Sequence, residues 1–96
     1  MEKRDEIVER LKRQIDQWNK EIGELETKGR MAKKEVRAAV EQQVKELRDR
    51  RAELQVRLGE LQRAGEGAWQ ELAQGLETAS YALKKSFQKA WDRLKQ

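Results

Sequence analysis

Apolar residues recur early in the chain at Ile7, Leu11, Ile15, Trp18, Ile22 and Leu25, in steps of 4, 4, 3, 4 and 3. From Leu11 onward this is a heptad seam, with 11, 18 and 25 in one row and 15 and 22 in the other. The seam runs on in phase through Gly29, Ala32, Val36 and Ala39, with small residues at the middle positions. Val36, Val40, Val44 and Leu47 then shift the stripe by inserted fours. Leu54, Leu58 and Leu61 resume it, across a gap where Arg50 and Arg51 occupy the expected place. The last third repeats at a spacing of eleven: Ala68, Ala79 and Ala90; Leu72, Leu83 and Leu94; Leu76 and Phe87; Trp69 and Trp91 with Ser80 between them. Eleven residues in three turns is 3.67 per turn, which predicts a nearly straight amphipathic helix.

The polar positions agree with helix. Acid–base pairs at i,i+4 in the favourable order run from Glu6–Arg10 to Glu53–Arg57, and each stabilises a helix by about 0.2–0.5 kcal/mol. Two places can interrupt it. Lys28-Gly29 has the composition of a C-terminal cap, but the following RMAKKE offers no Ser, Thr, Asp or Asn to start a new helix. Ala64-Gly65-Glu66-Gly67 is the better hinge, because two helical glycines together cost roughly 2 kcal/mol relative to alanine. The expected fold is all-α. A long coiled-coil helix over 1–63, with a weak point at 28–31, leads through a hinge at 64–67 into an amphipathic helix over 68–96. That helix folds back as a hairpin. The alternative is a three-helix bundle over about 3–28, 31–63 and 67–95. In the hairpin, the short arm leaves the N-terminal seam uncovered, so Ile7, Leu11, Ile15, Trp18, Ile22 and Leu25 are expected to associate with a second copy, a dimer being favoured.

Composition narrows the chemistry. Charged residues make up 42% of 96 residues, with 22 basic and 18 acidic side chains nearly cancelling, and His, Cys and Pro are absent. Without His or Cys the usual general base, thiolate nucleophile and soft metal ligands are missing. The carboxylate pairs Glu6/Glu9 and Glu21/Glu24 lack the Glu-x-x-His partner of a di-iron bundle, and Gly59 and Gly65 precede no Gly-Lys-Ser/Thr. No enzyme, no cofactor and no small-molecule substrate are expected. Nucleic-acid binding is not favoured, since Lys33, Lys34 and Arg37, and then Arg48, Arg50 and Arg51, alternate with acidic residues. With no signal-peptide core and no long apolar run, a cytoplasmic location is the default.

The tail is the most informative candidate. Lys84, Lys85, Lys89, Arg93 and Lys95 stand against Asp92 alone, beside an apolar face that includes Leu83, Phe87, Trp91 and Leu94. A basic amphipathic helix bearing Trp and Phe is the composition of an interfacial membrane binder. The plainer reading is that Trp69, Leu72, Leu76, Leu83, Phe87, Trp91 and Leu94 pack against the long helix.

KRDEIVERLKRQIDQWNKEIGELE at 3–26, centred on Gln17–Ile22, and AGEGAWQELAQGLETASYALKKSFQKA at 64–90 resemble a family of small bacterial coiled-coil proteins. The resemblance implies a helical cytosolic protein connected with stress adaptation, and it carries no catalytic residues. Gly29 departs from the family's Ala-rich linker. The expected function is therefore a non-enzymatic, self-associating coiled-coil protein of the bacterial stress response. The alternative is a peripheral binder of anionic membrane surfaces through residues 79–96.

Overall fold

The computed structural model describes residues 4–95. These residues form three helices: α1 (Arg4–Arg30), α2 (Lys34–Arg63) and α3 (Glu66–Leu94). The all-α class expected from the sequence holds, and of its two expected arrangements the bundle has three helices. The long helix expected over 1–63 is interrupted at Met31–Lys33, overlapping the end of the weak point at 28–31, and α2 runs back along α1. α3 then runs parallel to α1, giving a rod of 50 × 17 × 17 Å.

Burial explains why the chain turns. In an isolated continuous helix the seam of α1 would face water. Folded, Leu11, Ile15, Trp18, Ile22 and Leu25 are all at 5% exposure or less. At roughly 1.5–3 kcal/mol per large apolar side chain, these five contribute on the order of 10 kcal/mol. Breaking the helix over three residues sacrifices far less.

Gly29 makes the turn tight. It stays helical and buried, with no positive φ, so it is not the left-handed cap its position suggests. A Cβ placed there would lie 2.8 Å from Val40 Cγ1. The missing side chain lets α2 approach α1 immediately after the turn. Lys33 caps α2 in an extended conformation (φ −60°, ψ 152°) without a side-chain hydrogen bond, and Arg37 N–H donates to the Lys33 carbonyl at 2.8 Å.

All three helices pack in steps of three and four. The buried or half-buried row of α3 is Trp69, Ala73, Leu76, Ser80, Leu83, Phe87, Ala90 and Leu94, a heptad stripe in place of the expected eleven-residue one. In α2, Val40, Leu47, Leu54 and Leu61 form one row and Val44, Arg51 and Leu58 the other. α2 lies close to both neighbours, whereas α1 and α3 stand further apart. Aromatic rings fill that wider gap: Trp18 and Phe87 stack at 5.9 Å between centroids and 16° between planes. Above and below the stack, Arg4 and Lys28 of α1 lie 5.1 Å from the rings of Trp69 and Trp91.

Candidate functional site

The seam expected to associate with a second copy lies inside the bundle. Leu11, Ile15, Trp18, Ile22 and Leu25 are buried and Ile7 is half-buried, all covered by α2 and α3 of the same chain. The premise for a dimer was an uncovered N-terminal half, and a three-helix bundle removes that premise. The expected hairpin-packing or lipid face of α3 divides. Leu76, Leu83 and Phe87 are core, Trp69, Trp91 and Leu94 are half-buried against it, and Leu72 turns outward at 37% exposure. With Leu83 and Phe87 in the core, α3 cannot lie flat on a bilayer while the bundle is folded.

One end of the rod combines accessible apolar side chains with basic ones. There α1 ends, α2 begins and α3 ends. Met31, Ala32, Trp91 and Leu94, with Lys28 and Lys95, line a hollow of about 350 Å³. Among the described residues Met31 is the most exposed large apolar one at 79%. Residues 28–37 carry five basic side chains against Glu35, and residues 89–95 carry three against Asp92, a net charge of +6 for this pole. At the opposite pole, residues 4–9 hold Arg4 against three acidic side chains and residues 60–71 hold Arg63 against three, a net of −4.

Helix electrostatics account for part of this clustering. Lys28, Arg30 and Arg93 occupy the last turns of α1 and α3, where cations offset the negative end of the helix dipole. Lys33 and Lys34 stand at the N-terminus of α2, the positive end of its dipole, where each opposes it by about 0.3–1 kcal/mol. Fold stability does not explain that placement.

Of the basic tail, Lys89, Arg93 and Lys95 belong to this pole. Lys84 and Lys85 lie further down the rod, and Lys85 Nζ sits 4.9 Å from the ring of Tyr81. Sequence reasoning missed Lys28, Arg30, Met31 and Ala32, because only a turn at 31–33 brings them beside the end of α3. Elsewhere, Arg10 pairs with Glu77 and Arg48 with Glu26 across helix interfaces, and Arg51 donates to Asn19 Oδ1 at 2.5 Å. Among the described residues no group of three His, Cys, Asp or Glu could hold a metal ion, and no helix is long and apolar enough to cross a membrane. No protein-family model, curated protein or solved structure matches the chain.

Proposed function

We propose that this protein is a non-enzymatic module that docks end-on upon an anionic lipid surface through its basic tip. One observation carries the reading: the pole with a net charge of +6 also presents Met31 at 79% exposure, beside half-buried Trp91 and Leu94. A basic residue near an anionic membrane contributes about 1 kcal/mol, so the six nearest the end (Lys28, Arg30, Lys33, Lys34, Arg93 and Lys95) supply on the order of 6 kcal/mol. Entry of Met31 into the headgroup region adds an apolar contribution that polyanion binding alone lacks. The bundle stays closed in this pose, so no core residue has to leave. The link to bacterial stress adaptation rests on the resemblance and gains nothing from the geometry.

Co-sedimentation with phosphatidylcholine–phosphatidylserine vesicles tests the reading. Binding is expected at low salt, absent on pure phosphatidylcholine, and weakened by salt and by Met31→Ser. Lys33→Glu/Lys34→Glu should abolish it while raising the melting temperature, since both changes favour the α2 dipole. Failure to sediment with anionic vesicles at low salt would refute the proposal. So would binding that ignores Met31→Ser but is matched by equal retention on duplex DNA, the signature of a general polyanion binder.

A further inference from the structure

We infer that the α1–α2 turn is a hinge. Straightened, it would let two copies exchange α1 and form a domain-swapped dimer. The apolar stripe crosses the turn at helical spacing throughout: Leu25, Gly29, Ala32, Val36, Val40 and Val44, in steps of 4, 3, 4, 4 and 4. An inserted four of this kind is a stutter that a long helix absorbs by local unwinding. Nothing in Met31–Lys33 demands a bend. None of the three has a positive φ, neither Gly nor Pro occurs between residues 30 and 58, and no side chain caps α2. The end of α1 is closed by the Met31 and Ala32 N–H groups donating to the Lys28 and Gly29 carbonyls, both at 3.2 Å. These are i→i−3 bonds that straightening converts to i→i−4 bonds of the same kind.

The other turn has the opposite character. Two glycines stand at 65 and 67, and the Ala64 carbonyl accepts from the Arg4 guanidinium at 2.8 Å. A helix continued through residues 65–67 would carry both glycines at about 1 kcal/mol each, so the first turn is the one that straightens at lower cost.

Exchange preserves the bundle. In the dimer α1 of one copy occupies the groove between α2 and α3 of the other, so the Trp18–Phe87 stack re-forms between chains. Opening costs little because the packing given up within each chain is rebuilt between the two. The two hinges then cross antiparallel, and half-buried Ala32 and Val36 meet their counterparts. The two basic poles meet there as well. Their repulsion favours the monomer at low salt, and screening favours the dimer at high salt. The hinge follows from the stripe and the turn, independently of the lipid reading.

The chain has no cysteine, which gives a clean test. In the closed monomer the Cβ positions of residues 29 and 40 lie 3.4 Å apart, close to disulfide geometry. Gly29→Cys/Val40→Cys is refolded from denaturant at high concentration and high salt, separated by size exclusion, and oxidised. In the dimer fraction the disulfide should join two chains. In the monomer fraction it should close within one chain, and monomer oxidised in advance should no longer dimerise. Small-angle scattering of the dimer should show a rod of about 90 Å, the length of a helix from residue 4 to 63.

Lys33→Pro supplies the second arm. Proline fits φ −60° at residue 33, but it breaks a continuous helix, so the dimer should fall more than about a hundredfold while the monomer stays folded. A chain that is monomeric after every refolding would overturn the inference. A dimer whose 29–40 disulfides close within each chain, or one that tolerates Lys33→Pro, would overturn it equally.

Discussion

Two helical glycines of α1 should respond oppositely to the same substitution. Gly23→Ala and Gly29→Ala each remove the entropic penalty of a helical glycine, a gain of about 0.8–1.0 kcal/mol. At Gly23 the new Cβ meets nothing within 4 Å, so the gain should appear in full. For a domain of this size it corresponds to a rise in melting temperature of about 4–8 °C. At Gly29 the new Cβ would stand 2.8 Å from Val40 Cγ1, roughly 1 Å inside ordinary carbon–carbon contact. Val40 cannot easily yield, because it is 1% exposed and β-branched, with a single favoured rotamer in a helix. Either the start of α2 moves outward or Val40 leaves its rotamer, and overpacking of this kind costs about 1–3 kcal/mol. The net change at Gly29 is a loss of up to about 2 kcal/mol, which leaves the two variants about 1–3 kcal/mol apart.

Denaturant unfolding followed by circular dichroism reads this difference directly. Val40→Ala identifies its cause. Alone it removes two buried methyl-sized groups and should cost about 2 kcal/mol. In the Gly29→Ala background it also removes the clash, so the double variant should be more stable than the sum of the singles by about 1–2 kcal/mol. If Gly29→Ala stabilises as much as Gly23→Ala, or the double variant is additive, the close approach of α2 at Gly29 is not what shapes the turn.

Phe87→Ala removes the ring stacked on Trp18 at a 3% exposed position, and should cost about 3–5 kcal/mol in denaturant unfolding. Tryptophan emission should move to the red with it as Trp18 gains water. Arg51→Met should stabilise the bundle by about 1 kcal/mol in the same assay, because Arg51 occupies a core heptad position with its Nε buried and unpartnered. A loss instead would show that the bond to Asn19 outweighs that unpaired donor. Glu77→Gln breaks a pair whose side chains are about half exposed, and should cost less than about 1 kcal/mol, an effect that high salt removes.

The fold was legible where side chains are large and evenly spaced. Leu11, Ile15, Trp18, Ile22 and Leu25 alternate steps of three and four, and all five are buried. In α3 the visible repeat of eleven is a heptad stripe seen through its bulky members. Eleven is 4 + 3 + 4, so Leu76 and Phe87 fall on the buried face under either period, while Leu72 fits only the longer one and faces outward. The buried positions between them are Ala73, Ser80 and Ala90, residues too small or too polar to declare a core. They provide room opposite larger α1 side chains, as where Ser80 and Leu11 share a groove. Arg51 was visible as a charge standing in the stripe, but its partner Asn19 belongs to another helix and no local pattern links them. The turn at 31–33 was the least legible feature, because it uses none of the residues that normally announce one.

That missing punctuation joins the two proposals. A serine or aspartate at residue 33 would cap α2, and a proline would forbid the straight helix, yet the chain has lysine there. The same lysine and its neighbour oppose the α2 dipole and raise the charge of the tip. The segment from Lys28 to Lys34 therefore has little intrinsic preference for the turn and, on the lipid proposal, a strong preference for an anionic counterpart. An anionic surface contacts the tip only while the turn is closed, because a straightened hinge lies at the middle of a rod. By linkage such a surface favours the closed monomer. Dissolved salt weakens the lipid contact and screens the repulsion between paired hinges, so it favours the exchanged dimer. Adding anionic vesicles at fixed salt should draw the exchanged dimer back toward monomer, whereas neutral vesicles should leave it unchanged. Dimer that persists on anionic vesicles with its hinge extended would separate the two proposals and remove the exclusion between them.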